Sequence, residues 1–481
     1  MARLVVISNR VAVPKSGSRA GGLEVAVNAA LKQNPGIWFG WSGRMSGKVE
    51  TRTIEHEKMS YVVTDLGRED YNEYYNGFAN RVLWPILHYR LDLAEFSRRD
   101  LSGYMRVNEH FASELQKILR PDDTIWAHDY HLFPLAKALR ERGFTNRIGF
   151  FLHTPFPPPE IITALPHHER IVTALCQYDL VGFQTDIDSA NFARYLENEC
   201  RYQHNGEGYV AGDRVVRIGA FPVGIETESF NRLARRAIKS PFVAGVTASL
   251  SGRAMIIGVD RLDYSKGINE RLGAFERFLA QHSEWHNNVT YLQITPKSRS
   301  AIQEYADMER QVNQTVGRIN GEYGEATWTP IRYLTRTHRR AALAGLYRAA
   351  RAALVTPLRD GMNLVAKEYV AAQSEDDPGV LILSRFAGAA VECKPALLVN
   401  PFDIESVGGA IYRALSMSID ERRARHKALY DIIASNDISA WPQKFLSALQ
   451  GTNGHEQPGG SAESRAAGFL WSARSQQRDA R

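Results

Sequence analysis

The stretch "AMIIGVDRLDYSKGINERLGAFERFLAQ", residues 254–281, decides the fold because it joins a strand to a helix through a short polar turn. The segment 254–259 is apolar and typical of a buried strand. The turn carries Arg261 and Lys266 and ends at Gly267, after which helical periodicity begins. The same order of strand, turn and helix recurs along most of the chain, which predicts parallel sheets covered by helices on both faces.

The predicted strands fall into two sets, one in each half of the chain. In the first half we predict strands at 3–8, 61–65, 124–129, 147–153 and 180–185. In the second half we predict strands at 254–259, 289–295, 330–334, 352–357, 379–384 and 396–401. Two such sets indicate an α/β protein with two doubly wound, Rossmann-like domains. Because such sheets bind ligands beyond the carboxyl ends of their strands, we expect the site in the cleft between the domains.

A chain of 481 residues is too long for one hydrophobic core, and its pattern changes near the middle. There the β-rich pattern gives way to "NRLARRAIKSPFVAGV", which predicts domains at 1–235 and 236–450. The last helix of the second domain is a candidate to cross back to the first. Residues 451–481 are rich in Gly, Ser and Arg, so we expect a disordered tail there.

Composition excludes several classes of protein. The net charge of +6 is small for this length and is not gathered into one basic run, which argues against a nucleic-acid partner. Cys176, Cys200 and Cys393 are widely spaced and odd in number, so neither a disulfide framework nor a zinc ribbon is indicated, and a reducing cytoplasm fits. No signal segment and no apolar run long enough for a membrane span occurs in the sequence, so we expect no membrane partner.

Polar and glycine residues follow the first predicted strand. Arg10 comes directly after it, and Gly21 and Gly22 precede the first predicted helix. A glycine pair at a helix start lets backbone N–H groups approach an anion, although an ordinary loop is an equally good interpretation. The spacing is not the G-x-G-x-x-G of dinucleotide folds, which disfavours NAD.

Three histidines and an aspartate lie at or near strand ends. "WAHDYHL" contains His128, Asp129 and His131, and "FLHTPFPPPE" contains His153. The H-x-x-H spacing could bind zinc, but no third ligand has a suitable spacing, so we interpret His128 and His131 as capping and packing residues. Asp129 and His153 follow central strands and can each offer a hydrogen bond to a polar ligand.

The stretch "TPLRDGMNLVAKEYVAAQ" (356–373) contains a second strand-to-helix turn. Asp360 and Gly361 predict a tight turn, and the helix is predicted to begin near Asn363. The N–H groups of this turn would face the cleft together with the positive end of the helix dipole. Helical spacing alone makes Glu368 a solvated residue, but its place near the helix start favours a role in binding.

The two cations of the opening turn suit a diphosphate, whose negative charge grows as it leaves. Arg299 repeats this placement after the next strand. The alternative is that Arg261 and Lys266 form surface ion pairs with Asp260 or Asp263, and spacing alone does not exclude it.

Long motifs in order along the chain resemble one family. They are "NRVAVP", "GGL", "WFGWSG", "YYNGFANRVLWPILHYR", "HDYHL", "FLHTPFP", "VDRLDYSKGI", "TPLRDGMNLVAKEYVAAQ" and "LSRFAGAA". From about residue 3 to 445 the chain is similar to the trehalose-6-phosphate synthases, which are retaining glycosyltransferases of the GT-B fold. The resemblance implies transfer of glucose from UDP-glucose to glucose 6-phosphate, giving α,α-trehalose 6-phosphate and UDP, with no metal ion or other cofactor. It also implies small-molecule partners only and a homo-oligomer, since members often form dimers or tetramers.

The resemblance implies a role for each matched residue. The N-terminal domain would bind the acceptor and the C-terminal domain the nucleotide sugar. Arg261 and Lys266 match residues that hold the donor diphosphate, Glu368 matches the carboxylate on the ribose, and Asp360 matches the group on the glucose hydroxyls. His153 matches a residue near the glucose 6-hydroxyl, and Asp129 an acceptor-side carboxylate near the reacting centre. The other matched donor-side residues are Gly22, Arg339, Gly361, Met362, Asn363 and Leu364. The other matched acceptor-side residues are Arg10, Tyr75, Trp84 and Arg299.

One departure and two alternatives remain open. After "FAGAA", Val391 and Cys393 flank Glu392 where the family pattern has Asn and Leu, which leaves nucleoside selectivity in doubt. The closest alternative is a transferase of the same fold that uses ADP- or GDP-glucose, or an acceptor such as glycerol 3-phosphate. An inactive nucleotide-sugar sensor is disfavoured because no matched position is lost.

Overall fold

The computed structural model describes residues 3–13, 22–299 and 302–451 and contains two β-sheets flanked by helices. The strands are β1 (Leu4–Arg10), β2 (Gly36–Met45), β3 (Thr51–His56), β4 (Met59–Leu66), β5 (Thr124–His128), β6 (Ile148–Phe151), β7 (Leu180–Phe183), β8 (Tyr209–Ala211), β9 (Arg214–Ala220), β10 (Ala254–Val259), β11 (Val289–Ile294), β12 (Ile331–Leu334), β13 (Ala352–Val355), β14 (Val380–Ser384) and β15 (Leu397–Val399).

The helices separate most of the strands along the chain. They are α1 (Gly22–Gln33), α2 (Arg68–Asp70), α3 (Trp84–Leu87), α4 (Arg98–Gln116), α5 (Leu135–Glu141), α6 (Pro159–Ile162), α7 (His168–Val172), α8 (Asp186–Asn198), α9 (Thr227–Ala237), α10 (Pro241–Ser249), α11 (Ile268–Gln281), α12 (Gln303–Tyr323), α13 (Arg340–Ala349), α14 (Leu364–Ala372), α15 (Ala389–Glu392), α16 (Ile404–Ser416), α17 (Ile419–Ser435) and α18 (Ala440–Gln450). A π-helical segment, Tyr71–Leu83, joins α2 to α3 without a break.

The first sheet has nine strands in the order β3-β4-β2-β1-β5-β6-β7-β9-β8, and only its edge strands β3 and β8 pair antiparallel. The second sheet has six parallel strands in the order β12-β11-β10-β13-β14-β15. Two mostly parallel sheets with helices on their faces confirm the predicted α/β, GT-B class. No helix in the described part of the chain is both long enough and apolar enough to span a bilayer.

Four strands of the first sheet, β2, β3, β8 and β9, were not predicted. In β2 the glycines interrupt the β-branched pattern, and the structure gives the reason for them. A Cβ atom on Gly36 would lie 2.0 Å from the carbonyl oxygen of Leu4, and one on Gly40 would lie 2.0 Å from that of Ser8. Glycine therefore lets β1 and β2 lie close together. It also interrupts the β-branched pattern from which a strand is predicted.

The central strands are buried on both faces. In β1, Val5 and Ile7 pack into one apolar core, whereas Leu4 and Val6 pack into the core on the other face. Successive side chains of a strand point to opposite faces, so a strand between two cores is apolar throughout. This is why the continuous apolar runs in the sequence predicted the central strands well.

The chain crosses between the sheets twice. The first crossing lies between the end of β9 at Ala220 and the start of β10 at Ala254, and the boundary at 235/236 remains a prediction within this interval. The second crossing brings α18 onto the first sheet. There the Phe445 ring stacks on Trp126 at 4.6 Å, and Arg217 donates hydrogen bonds to the carbonyl groups of the last turn of α18.

Replacing Phe445 with alanine should destabilise the protein. The side chain is fully buried, and deletion of a buried phenyl ring typically costs about 3–5 kcal/mol. Urea denaturation followed by tryptophan fluorescence measures the loss. Phe242→Ala is the matched control, because Phe242 is 44% exposed. Equal denaturation midpoints for the two variants would show that packing of α18 on the first sheet does not stabilise the protein.

Candidate active site

A cleft of about 1370 Å³ lies between the two sheets. Residues that directly follow strands β1, β5 and β10 line it, as the doubly wound topology requires. From the first sheet's side the lining includes Arg10, Trp84, His88, Asp129 and His153. From the second sheet's side it includes Arg261, Lys266, Arg340, Asp360, Met362, Asn363, Leu364 and Glu368. Most of the predicted site residues are thus brought to one place.

Lys266 is held by a carboxylate from a neighbouring strand end. Its Nζ lies 2.5 Å from Oδ2 of Asp360, and both side chains are largely buried. The predicted alternative partner Asp260 instead pairs with Arg271 at 2.8 Å. Gly267 has φ 63°, which lets the chain turn from Lys266 directly into α11. The lysine is therefore fixed at the cleft and is not a surface cation.

Arg261 is the more exposed and more weakly paired of the two predicted cations. Its side chain is 52% exposed, and the ion pair that the sequence suggested, with Asp263, is long at 3.9 Å. The guanidinium lies 5.7 Å from the centroid of the Trp84 ring. A weakly paired guanidinium at the cleft is free to bind an anionic group.

The turn before α14 brings backbone into close contact. A Cβ atom on Gly361 would lie 2.1 Å from the carbonyl oxygen of His153, so this position needs glycine. Asn363 takes a left-handed conformation, φ 75°, and its side chain caps α14 by accepting a hydrogen bond from the N–H of Ala366. The free N–H groups at the start of α14 and its dipole therefore lie at the cleft, which favours an anion there.

Glu368 lies one turn further along α14, with its side chain 22% exposed. Burial raises its pKa to about 7, and the nearby Arg340 opposes that rise only in part. Arg340 Nε is 3.8 Å from Oε1 of Glu368, and its Nη1 is 3.3 Å from a carboxylate oxygen of Glu226. Arg339, which the sequence placed beside the nucleotide, is exposed and does not line the cleft, whereas Arg340 does. Arg339 is the extended N-cap residue of α13 and Arg340 is its first helical residue, so their side chains point in different directions. Two consecutive arginines in the sequence gave no signal to choose between them.

Asp129 and His153 meet at the ends of β5 and β6. Asp129 has φ 77°, and its Oδ1 is buried without a hydrogen-bond partner among the described residues. Burial raises the pKa of Asp129 to about 6, although Arg299 and Arg261 act in the opposite direction. His153 Nε2 lies 3.1 Å from His128 Nδ1, and burial lowers the pKa of His153 to about 3. The site thus offers one unsatisfied acceptor and a neutral imidazole.

His131 is a packing residue, as its sequence context suggested. Its ring stacks on Tyr75 at 5.9 Å and lies 4.0 Å from the ring of Tyr130. Within the described ranges, no group of three or more His, Cys, Asp or Glu side chains is arranged to hold a metal ion.

Four predicted acceptor residues lie in or against a cluster of aromatic rings, namely Arg10, Tyr75, Trp84 and Arg299. Arg10 lines the cleft and lies 5.9 Å from the Trp41 ring, which in turn lies 5.9 Å from Tyr75. Arg299 lies behind the cleft lining, with its guanidinium 3.9 Å from the centroid of Trp84. Its Nε is buried and has no hydrogen-bond partner among the described residues, so it can still donate to an anion.

Gly22 is the first residue of α1, and Gly21 lies outside the described residues. Sequence reasoning missed His88, whose Nδ1 is 2.7 Å from the carbonyl oxygen of Trp84 and whose ring lies 4.0 Å from the Trp84 ring. The spacing i, i+4 from Trp84 was the available signal. Val391 and Cys393 are the two positions at which the sequence departs from the family pattern. Within the described ranges, neither of them lines the cleft.

Comparisons with known proteins agree with this geometry. The model of Glycosyltransferase family 20 matches residues 7–451. A trehalose-6-phosphate synthase from Sinorhizobium fredii is 51% identical over 456 residues, covering 93% of this chain and 98% of the relative. An alpha,alpha-trehalose-phosphate synthase (UDP-forming) from Burkholderia xenovorans, crystallised in complex with glucose-6-phosphate, is 45% identical with a TM-score of 0.91, covering 93% of this chain and 100% of its own.

A solved structure from E. coli with UDP-2-fluoro glucose bound is 46% identical with a TM-score of 0.89. The match covers 93% of this chain and 99% of that one. Sequence, family model and fold therefore agree over nearly the whole described chain. The chain belongs to glycosyltransferase family 20.

Proposed function

We propose that this chain is a trehalose-6-phosphate synthase. It transfers glucose from UDP-glucose to glucose 6-phosphate with retention of configuration and releases UDP. The observation that carries the proposal is the pairing of Lys266 with Asp360 at 2.5 Å in a cleft lined by both sheets. This pair places a cation for a leaving diphosphate beside a carboxylate for sugar hydroxyls.

The second sheet's side of the cleft supports binding of the nucleotide sugar. Arg261 and Lys266 supply positive charge for the diphosphate, and the N–H groups at the start of α14, around Leu364, add hydrogen bonds. Glu368 is placed to accept hydrogen bonds from the ribose. Asp360 and His153 face the transferred glucose. Because Arg340 lines the cleft and Arg339 does not, we assign Arg340 rather than Arg339 to the nucleotide.

The first sheet's side, together with Arg299 from the second, supports binding of the acceptor. Arg10, Tyr75 and Arg299 carry the groups suited to a phosphate, and Trp84 offers an aromatic face to the sugar ring. The unpartnered Oδ1 of Asp129 is an acceptor for a hydroxyl near the reacting centre. A buried carboxylate with an unused lone pair favours a polar ligand over an apolar one.

The chemistry is a transfer on the front face of the glucose through an oxocarbenium-like state. The departing phosphate oxygen takes the proton of the acceptor hydroxyl, so the two substrates react on the same face. Lys266 and Arg261 stabilise the charge that develops on the diphosphate, and one such preorganised group is typically worth about 2.7–4 kcal/mol. We propose that no metal ion is needed, and activity unchanged by EDTA is the expected result.

Affinity for UDP-glucose should fall below about pH 7, because the pKa of Glu368 is raised to about 7. The ionised carboxylate that accepts hydrogen bonds from the ribose is present above this pKa and lost below it. The affinity should therefore fall by at most about tenfold for each pH unit below the pKa. His153 and His88, with pKa values of about 3 and 4, stay neutral throughout. Asp129, with a pKa of about 6, titrates on the acceptor side of the cleft equally in the unchanged protein and in the variant. Calorimetry between pH 5.5 and 8.5 measures the change, and Glu368→Gln should flatten it. A profile that is equally steep in this variant would contradict the assignment.

A panel of donors and acceptors tests the proposed function. Purified protein is mixed with glucose 6-phosphate and UDP-, ADP- or GDP-glucose, and nucleoside diphosphate release is measured. A second series pairs UDP-glucose with glycerol 3-phosphate. Fastest release from UDP-glucose and glucose 6-phosphate supports the proposal. Faster release with another pair would support the alternative transferase, and binding of UDP-glucose without release in any tube would support a sensor.

Family membership also supports a cytoplasmic homo-oligomer, either a dimer or a tetramer. Light scattering of the purified protein measures the mass of the assembly. A monomer at micromolar concentration would contradict this part of the proposal.

A further inference from the structure

Asp263 is a fully buried carboxylate that lies between the two sides of the cleft. Its Oδ1 accepts hydrogen bonds from the N–H of Ser265 at 3.0 Å, from Ser265 Oγ at 2.8 Å and from Trp84 Nε1 at 3.4 Å. Its Oδ2 lies 3.2 Å from the Tyr305 hydroxyl, 3.4 Å from Arg299 and 3.9 Å from Arg261. The Asp263 side chain thus contacts residues that we assign to donor binding and residues that we assign to acceptor binding.

These contacts cross between the two sheets. Trp84 belongs to the first sheet's side of the protein, and Asp263, Arg261 and Arg299 to the second. The Trp84 ring lies 3.9 Å from the Arg299 guanidinium and 5.7 Å from that of Arg261. Arg299 also donates a hydrogen bond to the Tyr130 hydroxyl, at 3.0 Å, on the first sheet's side. The carboxylate is therefore the shared partner of a cluster that spans the cleft.

Capping the turn does not require a charge at this position. Asparagine caps turns about as well as aspartate, so a negative charge must have another use there. Burying a carboxylate is costly unless cations compensate for it. Burial would raise the pKa of Asp263, but Arg299 and Arg261 lower it to about 2, so the group is charged. The charge keeps two guanidinium groups, which repel each other, beside a single indole ring.

We infer that Asp263 is a positioning residue that couples acceptor binding to donor binding. Its contacts fix the positions of Arg299 and Trp84, on the acceptor side, relative to Arg261 on the donor side. When a diphosphate fixes Arg261, the shared carboxylate fixes the other two groups as well. The inference rests on the proposed function, since it needs a donor and an acceptor in the one cleft.

Calorimetry of the full-length protein tests the inference without turnover. Glucose 6-phosphate is titrated into protein alone and into protein saturated with UDP, and the ratio of the two dissociation constants is the coupling factor. In the unchanged protein UDP should tighten acceptor binding by about 5–150-fold, the usual range for coupled sites. In Asp263→Asn the ratio should fall to near one. Asp123→Asn, which removes a buried carboxylate that pairs with Arg3, is the control and should keep the full ratio.

Tyr305→Phe gives an independent test, because it removes only the hydroxyl that donates to Asp263 Oδ2 at 3.2 Å and accepts from Arg299 at 2.7 Å. Its coupling factor should fall severalfold, and this variant decides the matter if Asp263→Asn does not fold. A purely structural role would lower the melting temperature of the variants but leave their coupling factor unchanged, which would overturn the inference. Unchanged protein that binds both ligands without coupling would also overturn it. Unchanged protein that binds neither ligand would overturn the proposed function as well.

Discussion

Lys266→Ala should lower the turnover number by about 10²-fold or more, whereas binding of UDP-glucose weakens much less. Negative charge on the diphosphate is larger in the transition state than in the bound substrate, so the lysine contributes most as the bond breaks. The structure adds a second effect, because the variant leaves the Asp360 carboxylate without its partner at 2.5 Å. Steady-state kinetics and calorimetry with UDP-glucose measure the two quantities separately.

Lys297→Ala is the matched control for this experiment. Lys297 follows the neighbouring strand, is 54% exposed and pairs with Glu309 at 2.6 Å, and it does not line the cleft. Its turnover should match that of the unchanged protein. If Lys266→Ala also keeps its turnover within a factor of a few, Lys266 has no part in stabilising the leaving group.

Arg299→Ala should reduce the preference for glucose 6-phosphate over glucose by about 10–100-fold, since hydrogen bonds to charged groups are worth about 1.5–3 kcal/mol. The guanidinium is buried behind Trp84 with an unused Nε donor, and a phosphate is the partner that it suits. The ratio of kcat/KM for the two acceptors measures the preference. Using a ratio separates loss of phosphate recognition from general damage to the site.

Arg310→Ala serves as the control, because Arg310 lies on α12, is 65% exposed and pairs with Asp307. It should leave the preference unchanged. An Arg299→Ala protein that still prefers glucose 6-phosphate as strongly as the unchanged protein would remove Arg299 from the phosphate site.

The sequence predicted the second sheet better than the first. The segments 254–259 and 268–281 coincide with β10 and α11, because an apolar run, a polar turn and Gly267 mark each boundary. The first sheet contains β2, whose glycines are required by close contact with β1 and remove the strand pattern. Strand prediction from the local sequence pattern therefore fails at positions where a contact with another strand determines the residue type.

Partners across the cleft were the least predictable part of the site. Sequence spacing suggested that Lys266 pairs with Asp260 or Asp263, but its partner is Asp360, 94 residues away. The two residues meet because β10 and β13 are neighbours in the sheet. Asp263 was overlooked as a site residue for the same reason, since its contact with Trp84 depends on tertiary structure. His88 was overlooked although its contact with Trp84 is local, at spacing i, i+4.

Identification of the product by NMR spectroscopy tests the central claim most directly. The protein is incubated with UDP-glucose and glucose 6-phosphate, and the anomeric protons and the reducing end of the product are examined. The account predicts a non-reducing disaccharide phosphate in which both anomeric centres have the α configuration. A β-linked product would contradict retention, and a disaccharide with a free reducing end or free glucose alone would contradict transfer to the anomeric hydroxyl of glucose 6-phosphate.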